Sequence, residues 1–187
     1  MKSCTLSLPD AAATEHAGAV LAGGLTAGMV VTLAGDLGAG KTTLARGVLR
    51  ALGWRGPVKS PTYTLVEHYP LSNLYLYHFD FYRFEDVAEW DDAGVAECFR
   101  DDALCLVEWP ERIAGRLPDP DVAITLAHAG AGAAGRTLTA TATSQLWIRS
   151  RWRPFRTGGS MNRTSGFAIS TESSISWTTC IAHWSCC

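Results

Sequence analysis

The residues best suited to chemistry form one glycine-rich stretch that matches G-x-x-x-x-G-K-[ST], with one more threonine behind it. Such glycines let the backbone curl so that successive N–H groups face a phosphate, and a following helix adds the partial positive charge of its N-terminus. The lysine suits the β- and γ-phosphates, and the threonine hydroxyl suits Mg²⁺. The predicted nucleotide-binding residues are Gly35, Asp36, Leu37, Gly38, Ala39, Gly40, Lys41, Thr42 and Thr43.

Two carboxylates, each at the end of an apolar run, compete for the role of the second acid in such a site. Glu108 follows residues 104–107, as expected of an acid that holds or orients a metal, and Asp80 follows residues 74–79. Both can act, one near the metal and one positioning the attacking water, because phosphoryl transfer depends on positioning and charge stabilisation. For each acid the alternative is a solvated carboxylate at a strand end.

Four further residues carry weaker patterns. Thr62 ends a Ser-Pro-Thr segment where nucleotide switches place a hydroxyl that senses the γ-phosphate, although a turn fixed by the proline explains the segment equally well. Trp109 follows the second acid and is predicted either near the nucleotide or in the core. His78 is interpreted as a structural histidine, and Arg83 either as a phosphate contact or as a surface residue.

The elements that must position these residues alternate between strands and helices. Residues 29–34 and 103–107 predict buried strands, and a helix of about three turns follows the glycine-rich stretch and ends at Gly53. Asp10 predicts the N-cap of a helix over residues 11–25. Each of the glycines within that helix weakens the prediction by about 1 kcal/mol relative to alanine. These glycines are Gly18, Gly23 and Gly24.

The rest of the regular pattern completes an α/β fold. The further predicted elements are a hairpin of residues 63–69 and 74–81, two short helices separated by Gly94 within residues 85–102, a helix over residues 110–116, and strands over residues 122–127 and 136–143. The succession predicts a P-loop NTPase-like three-layer sandwich with a mixed, mainly parallel central sheet, edged by antiparallel strands.

Composition bounds the domain organisation. A chain of 187 residues with 47% hydrophobic residues has room for one core, which we assign to a domain of residues 1–144. Residues 145–187 show no sustained periodicity and are predicted to be a disordered tail, and a frameshift or read-through would explain their composition. The net charge is −6 over residues 1–144 and +4 over the tail, which argues against unaided nucleic-acid binding by the domain.

The chain is expected to be cytoplasmic. No apolar run approaches the roughly 20 residues that cross a bilayer, and the N-terminus lacks the apolar region of a signal peptide. The six cysteines form no Cys-x-x-Cys pair, so reduced, buried thiols are a better interpretation than a structural zinc site.

Four blocks of sequence, in this order and spacing, resemble the TsaE family, the ATPases of bacterial tRNA threonylcarbamoyladenosine biosynthesis. The blocks are GDLGAGKTT at residues 35–43, SPTYTLV at residues 60–66, HFDFYR at residues 78–83 and LVEWP at residues 106–110. The glycine-rich block alone is common to many P-loop proteins, whereas the four blocks together are highly specific. The resemblance covers about residues 5–143.

The resemblance implies an Mg²⁺-dependent ATPase that joins the TsaD–TsaB pair and supports threonylcarbamoyl transfer to N6 of adenosine 37 in tRNA. It would contact tRNA only through that complex, and its hydrolysis would be weak alone and stimulated by the partners. The motifs carry over as catalytic residues Lys41, Asp80 and Glu108, Mg²⁺ ligands Thr42 and Glu108, a switch-like residue Thr62, and a nucleotide neighbour Trp109.

Two other functions stay open from the residues alone. A small P-loop kinase acting on a metabolite would usually carry an arginine-bearing lid, and no arginine-rich insertion follows the glycine-rich stretch. A nucleotide-dependent binding switch would need ATP binding without turnover. A variant impaired at Asp80 or Glu108 that still binds ATP distinguishes this switch from an ATPase.

Overall fold

A computed structural model describes residues 2–130 and 135–142, which form a seven-stranded sheet with helices packed on it. The predicted tail, residues 145–187, lies outside the described residues. The strands are β1 (Lys2–Leu8), β2 (Val30–Ala34), β3 (Val66–Pro70), β4 (Tyr75–Asp80), β5 (Ala103–Glu108), β6 (Val122–His128) and β7 (Arg136–Ala142). The helices are α1 (Ala11–Ala22), α2 (Lys41–Ala51) and α3 (Ala88–Ala93), with short 3₁₀ helices at Val95–Cys98 and Pro110–Ile113.

The strand order in the sheet is β1-β7-β6-β2-β5-β4-β3. Strands β6, β2, β5 and β4 run parallel to one another, and β1, β7 and β3 add antiparallel pairs at the two sides. The carboxyl ends of the parallel strands therefore meet at one edge of the sheet, where open α/β sheets bind their ligands. The predicted fold class is confirmed, with the parallel pairing confined to the centre.

Both faces of the sheet are covered, which makes three layers. Alternate residues of a strand point to opposite faces. On β5, Leu104 and Leu106 pack in the cluster formed with α1 and α2, whereas Cys105 and Val107 pack in a second cluster rich in aromatic rings from β4 and α3. Burial raises the pKa of the Cys105 thiol to about 12, so this cysteine is an inert core residue, as the sequence predicts.

One strand was not predicted, and several predicted elements are shorter than expected. Strand β1 pairs along its whole length with β7. The strand predicted from residue 63 begins only at Val66, because the Leu65 N–H bonds to the Pro61 carbonyl and closes a turn. The helix predicted over residues 110–116 is the single 3₁₀ turn Pro110–Ile113.

None of the helices in the described part of the chain has the length and apolar character that spanning a bilayer requires.

Glycines allow α1 and α2 to cross at backbone contact. A Cβ atom added at Gly18 would overlap the Leu44 carbonyl oxygen, and one added at Gly47 would overlap the Glu15 carbonyl oxygen. Gly18 is therefore required by packing, although glycine has a low helix propensity. Helix α1 ends at Ala22 rather than near residue 25, with Gly23 as its C-cap.

Replacement of Gly18 by alanine tests this close approach. Helix propensity alone would favour alanine by about 1 kcal/mol, but the added methyl group must push the two helices apart. We expect Gly18→Ala to lower the free energy of unfolding by about 1–3 kcal/mol in urea denaturation. The control is Gly23→Ala, because a Cβ there would lie 3.4 Å from its nearest neighbour. Equal stabilities of the two variants would contradict the packing described here.

Candidate functional site

The glycine-rich stretch forms a tight loop between β2 and α2, at the sheet edge where the parallel strands end. Gly38 and Gly40 have φ angles of 78° and 104°, which residues with a side chain rarely adopt. No side chain caps the N-terminus of α2, so the N–H groups of its first turn have no side-chain acceptor. A helix start of this kind is suited to an anion, because its free N–H groups and its dipole both favour negative charge.

Lys41 lies folded over this loop and is only 4% exposed. Its Nζ donates hydrogen bonds to the Gly35 and Asp36 carbonyl oxygens at 2.6 and 2.9 Å. Burial lowers the pKa of Lys41 below its ordinary value, and the carboxylates of Glu108 and Asp80 oppose that shift. An ammonium group removed from water in this way gains strongly from a phosphate placed beside it.

The Glu108 carboxylate lies at the end of β5 and is 2% exposed. Its Oε1 accepts a hydrogen bond from the Thr42 hydroxyl at 2.8 Å and contacts Nε2 of His78, also at 2.8 Å. The strand register places Glu108 between Leu33 on β2 and Asp80 on β4. Three stretches that are distant in the sequence therefore meet at one buried carboxylate.

Asp80 ends β4 and is 4% exposed. Its Oδ2 accepts hydrogen bonds from the hydroxyls of Ser60 and Thr62, the latter at 2.7 Å, while its Oδ1 accepts from the Tyr82 N–H at 3.0 Å. The carboxylate thus ties residues 60–62 to the sheet edge. Neither Asp80 nor Glu108 is the solvated strand-end carboxylate that the sequence left as an alternative.

Trp109 has the left-handed backbone conformation, with φ 58° and ψ 50°. Its N–H bonds to the Leu33 carbonyl at 3.2 Å, and its ring lies 3.8 Å from Nζ of Lys41 and 5.0 Å from the ring of Tyr82. This conformation is costly for a bulky residue, and such strain concentrates at functional sites. The structure therefore places Trp109 at the loop lysine and not only in the core.

Arg83 is exposed, and its guanidinium group stacks over the ring of Tyr63 at 4.3 Å. This position agrees with the interpretation of Arg83 as a surface residue. A different arginine, Arg136 at the start of β7, places Nη1 3.5 Å from the Ala39 carbonyl oxygen and against Gly40. Sequence reasoning missed Arg136, because it belongs to no motif and reaches the loop only through sheet pairing.

The donor set fits a magnesium-bound nucleotide. Thr42 and Glu108 offer a hydroxyl and a carboxylate side by side, and Mg²⁺ is typically held by one or two such oxygens, with phosphate and water completing its shell. Because the Thr42 proton points at Glu108, the hydroxyl lone pairs are free for a cation. The loop N–H groups and Lys41 would then be the groups that bind the phosphates.

Comparison with known proteins points to one family. The sequence model of the family described as "Threonylcarbamoyl adenosine biosynthesis protein TsaE" matches residues 8–138. Curated proteins named tRNA threonylcarbamoyladenosine biosynthesis protein TsaE are 50% identical over 96 residues in Haemophilus influenzae and 46% identical over 97 residues in Bacillus subtilis. These matches cover 51% and 52% of the chain. They span 61% and 60% of the two relatives, which is less than two thirds of their length.

A solved structure shares the fold. The crystal structure of YdiB from Bacillus subtilis superposes with a TM-score of 0.65 at 32% sequence identity. The superposition covers 78% of this chain and 89% of that chain.

The tie between Asp80 and residues 60–62 can be tested through stability. Thr62→Val removes a hydroxyl that donates to a buried carboxylate, and we expect a loss of about 1 kcal/mol in the free energy of unfolding. Thr64→Val is the matched control, because Thr64 is exposed and its hydroxyl makes a solvent-exposed hydrogen bond to the Glu67 side chain at 3.1 Å. That control should change stability by less than about 0.5 kcal/mol in the same urea denaturation. A Thr62→Val variant as stable as the control would argue against the described contact.

Proposed function

The chain belongs to the TsaE family, and we propose that it binds and hydrolyses ATP to support formation of N6-threonylcarbamoyladenosine at adenosine 37 of tRNA. The observation that carries this proposal is the hydrogen bond from Thr42 to the buried Glu108, at the start of a helix whose first N–H groups have no side-chain cap and whose first residue is the buried Lys41. That combination is suited to a nucleotide phosphate with its magnesium ion and to few other ligands.

Each residue of the loop has a separate task in this proposal. The N–H groups at the start of α2 hold phosphate oxygens, and Lys41 supplies the positive charge beside them. Bound Mg²⁺ would neutralise charge that develops on the phosphates during transfer. Thr42 and Glu108 would hold that ion, Thr42 through its hydroxyl and Glu108 through the carboxylate that accepts the Thr42 hydrogen bond.

Asp80 acts through the segment that it anchors. Its carboxylate holds the Ser60 and Thr62 hydroxyls, and strand pairing places Asp80 beside Glu108. A hydroxyl in such a segment is placed to detect the γ-phosphate and to order the attacking water. Asp80 thereby supports hydrolysis as a positioning residue, and Trp109 closes one side of the site against Lys41.

Hydrolysis by the chain alone is proposed to be weak. The guanidinium of Arg83 lies on the exposed Tyr63, and that of Arg136 lies at the Ala39 carbonyl oxygen, so neither makes a hydrogen bond or an ion pair with Glu108 or Asp80. An arginine directed at the transferring phosphate is worth several orders of magnitude in rate. We therefore propose that the TsaD–TsaB pair stimulates turnover and that tRNA is reached only through that assembly.

A nucleotide-dependent binding switch is the second candidate. In the described structure the Asp80 carboxylate bonds to Ser60, Thr62 and Tyr82, an arrangement that couples a surface segment to the nucleotide site without requiring hydrolysis. In this version ATP binding alone would control docking of the partner pair. The Asp80→Asn variant distinguishes the ATPase from the binding switch. An ATPase must hydrolyse ATP to support tRNA modification, whereas a switch needs only to bind ATP.

The proposed function is tested by threonylcarbamoyladenosine formed on tRNA over many turnovers by the TsaD–TsaB pair and the threonylcarbamoyl donor. Product should accumulate repeatedly only when both this chain and ATP are present. Lys41→Ala should abolish the effect and weaken ATP binding about thirtyfold or more, because no other cation of the loop replaces it. Arg55→Ala, an exposed charge beyond the far end of α2, is the control and should behave as the unaltered chain.

Two outcomes would contradict this account. Product formation that is indifferent to the chain or to Lys41 would remove the proposed role in tRNA modification. Full support by an Asp80→Asn variant that binds ATP without hydrolysing it would instead favour the binding switch.

A further inference from the structure

His78 is a fully buried polar side chain next to the proposed ATP site. Its Nε2 lies 2.8 Å from Oε1 of Glu108, whose own side chain is 3% exposed. The sequence interpretation of His78 as a structural histidine does not explain why the ring meets this particular carboxylate. The contact joins a residue in the middle of β4 to the last residue of β5.

Strand register brings the two side chains together. His78 pairs with Leu106 on the parallel neighbour β5, and Asp80 pairs with Glu108. Alternation along β4 and β5 turns His78 and Glu108 toward the same face of the sheet, which α2 covers. The His78 ring therefore contacts Glu108 from within the sheet, while Thr42 contacts the same carboxylate from the start of α2.

The hydrogen bond can run in only one direction. An ionised carboxylate oxygen is only an acceptor, so Nε2 of His78 carries the hydrogen that is shared with Oε1. The other ring nitrogen, Nδ1, is buried and has no hydrogen-bond partner among the described residues. The polar function of the ring in this structure is thus directed entirely at Glu108.

We propose that His78 is a positioning residue that holds the Glu108 carboxylate in the orientation required for magnesium. This inference rests on the proposed function. Because His78 fixes Oε1, the carboxylate stays in place to accept the hydrogen bond of the Thr42 hydroxyl. The Thr42 oxygen then keeps its lone pairs available to the cation. Without the ring the carboxylate can rotate and the Thr42 hydroxyl loses its acceptor, so magnesium loses affinity even though every loop residue is present.

The test compares His78→Leu, which removes the donor, with His78→Gln, whose amide N–H can reach the place of Nε2. For each variant, ATP affinity is measured by titration calorimetry with and without Mg²⁺, and folding is checked by urea denaturation. His78→Leu should lower the Mg²⁺-dependent gain in ATP affinity about tenfold or more, the effect of losing a partner of a metal ligand. Its affinity without Mg²⁺ should stay unchanged, and His78→Gln should keep most of the gain.

Two further variants keep the result decisive. His16→Leu alters an exposed histidine on α1 and should match the unaltered chain in every titration. If His78→Leu does not fold, His78→Asn replaces it, because its shorter side chain keeps a polar group but holds its amide away from Oε1. His78→Asn should then lose the Mg²⁺-dependent gain that His78→Gln retains.

The outcomes separate this inference from the proposed function. An unaltered chain that gains no ATP affinity from Mg²⁺ would overturn the proposed function, and the positioning role with it. An unaltered chain with that gain, and a His78→Leu variant that keeps it in full, would overturn the positioning role alone. Equal losses with and without Mg²⁺ in both His78→Leu and His78→Gln would also overturn it, because they would show a purely structural histidine.

Discussion

The structure depends on the burial of one carboxylate, that of Glu108. A charge taken out of water at the end of a central strand must find partners, because an unpaired buried charge is too costly to keep. Thr42 and His78 satisfy one of its oxygens, and the field of the carboxylate also reaches Lys41, where it opposes the lowering of the pKa by burial. The start of α2, the middle of β4 and the end of β5 are held together for this reason.

The same arrangement explains how contacts within the protein hold the residues of the site in place. Trp109 takes up a strained conformation directly after Glu108, and in that position its ring lies 3.8 Å from Nζ of Lys41. Asp80, paired with Glu108 across the strands, fixes Thr62 and the segment around it. Preorganised groups lose little free energy to reorganisation when a phosphate binds, which suits a site for positioning and charge stabilisation.

Much of this site could be predicted from the sequence, because its main signals are local. Each of these signals depends on a few neighbouring residues. They are the loop motif, the apolar runs that end at Asp80 and Glu108, and the helix that follows the loop. The contacts of His78 and Arg136 with the site could not be predicted, since they depend on which strands pair and in which register. Strand β1 left a weak signal, the alternation of Cys4, Leu6 and Leu8.

Residues 63–65 were predicted to be part of a strand, and there tertiary contacts outweigh the local preference of the side chains. The aromatic Tyr63 and the β-branched Thr64 favour a strand, but hydrogen bonds to Asp80 from the hydroxyls just before them hold the chain in a turn. Leu65 has φ 66° there, a conformation that composition does not predict. Tertiary polar contacts of this kind decide local structure where a functional segment is anchored.

The most direct test of the account is the effect of Mg²⁺ on ATP binding by Glu108→Gln. Glutamine keeps the size of the side chain but removes the charge that fixes the Thr42 proton and attracts the ion. The account predicts that the unaltered chain binds ATP more tightly with Mg²⁺ than without it, and that Glu108→Gln loses this difference while it still binds ATP without Mg²⁺. A Glu108→Gln variant that keeps the full Mg²⁺ dependence would contradict the assignment of this buried carboxylate as the centre of the site.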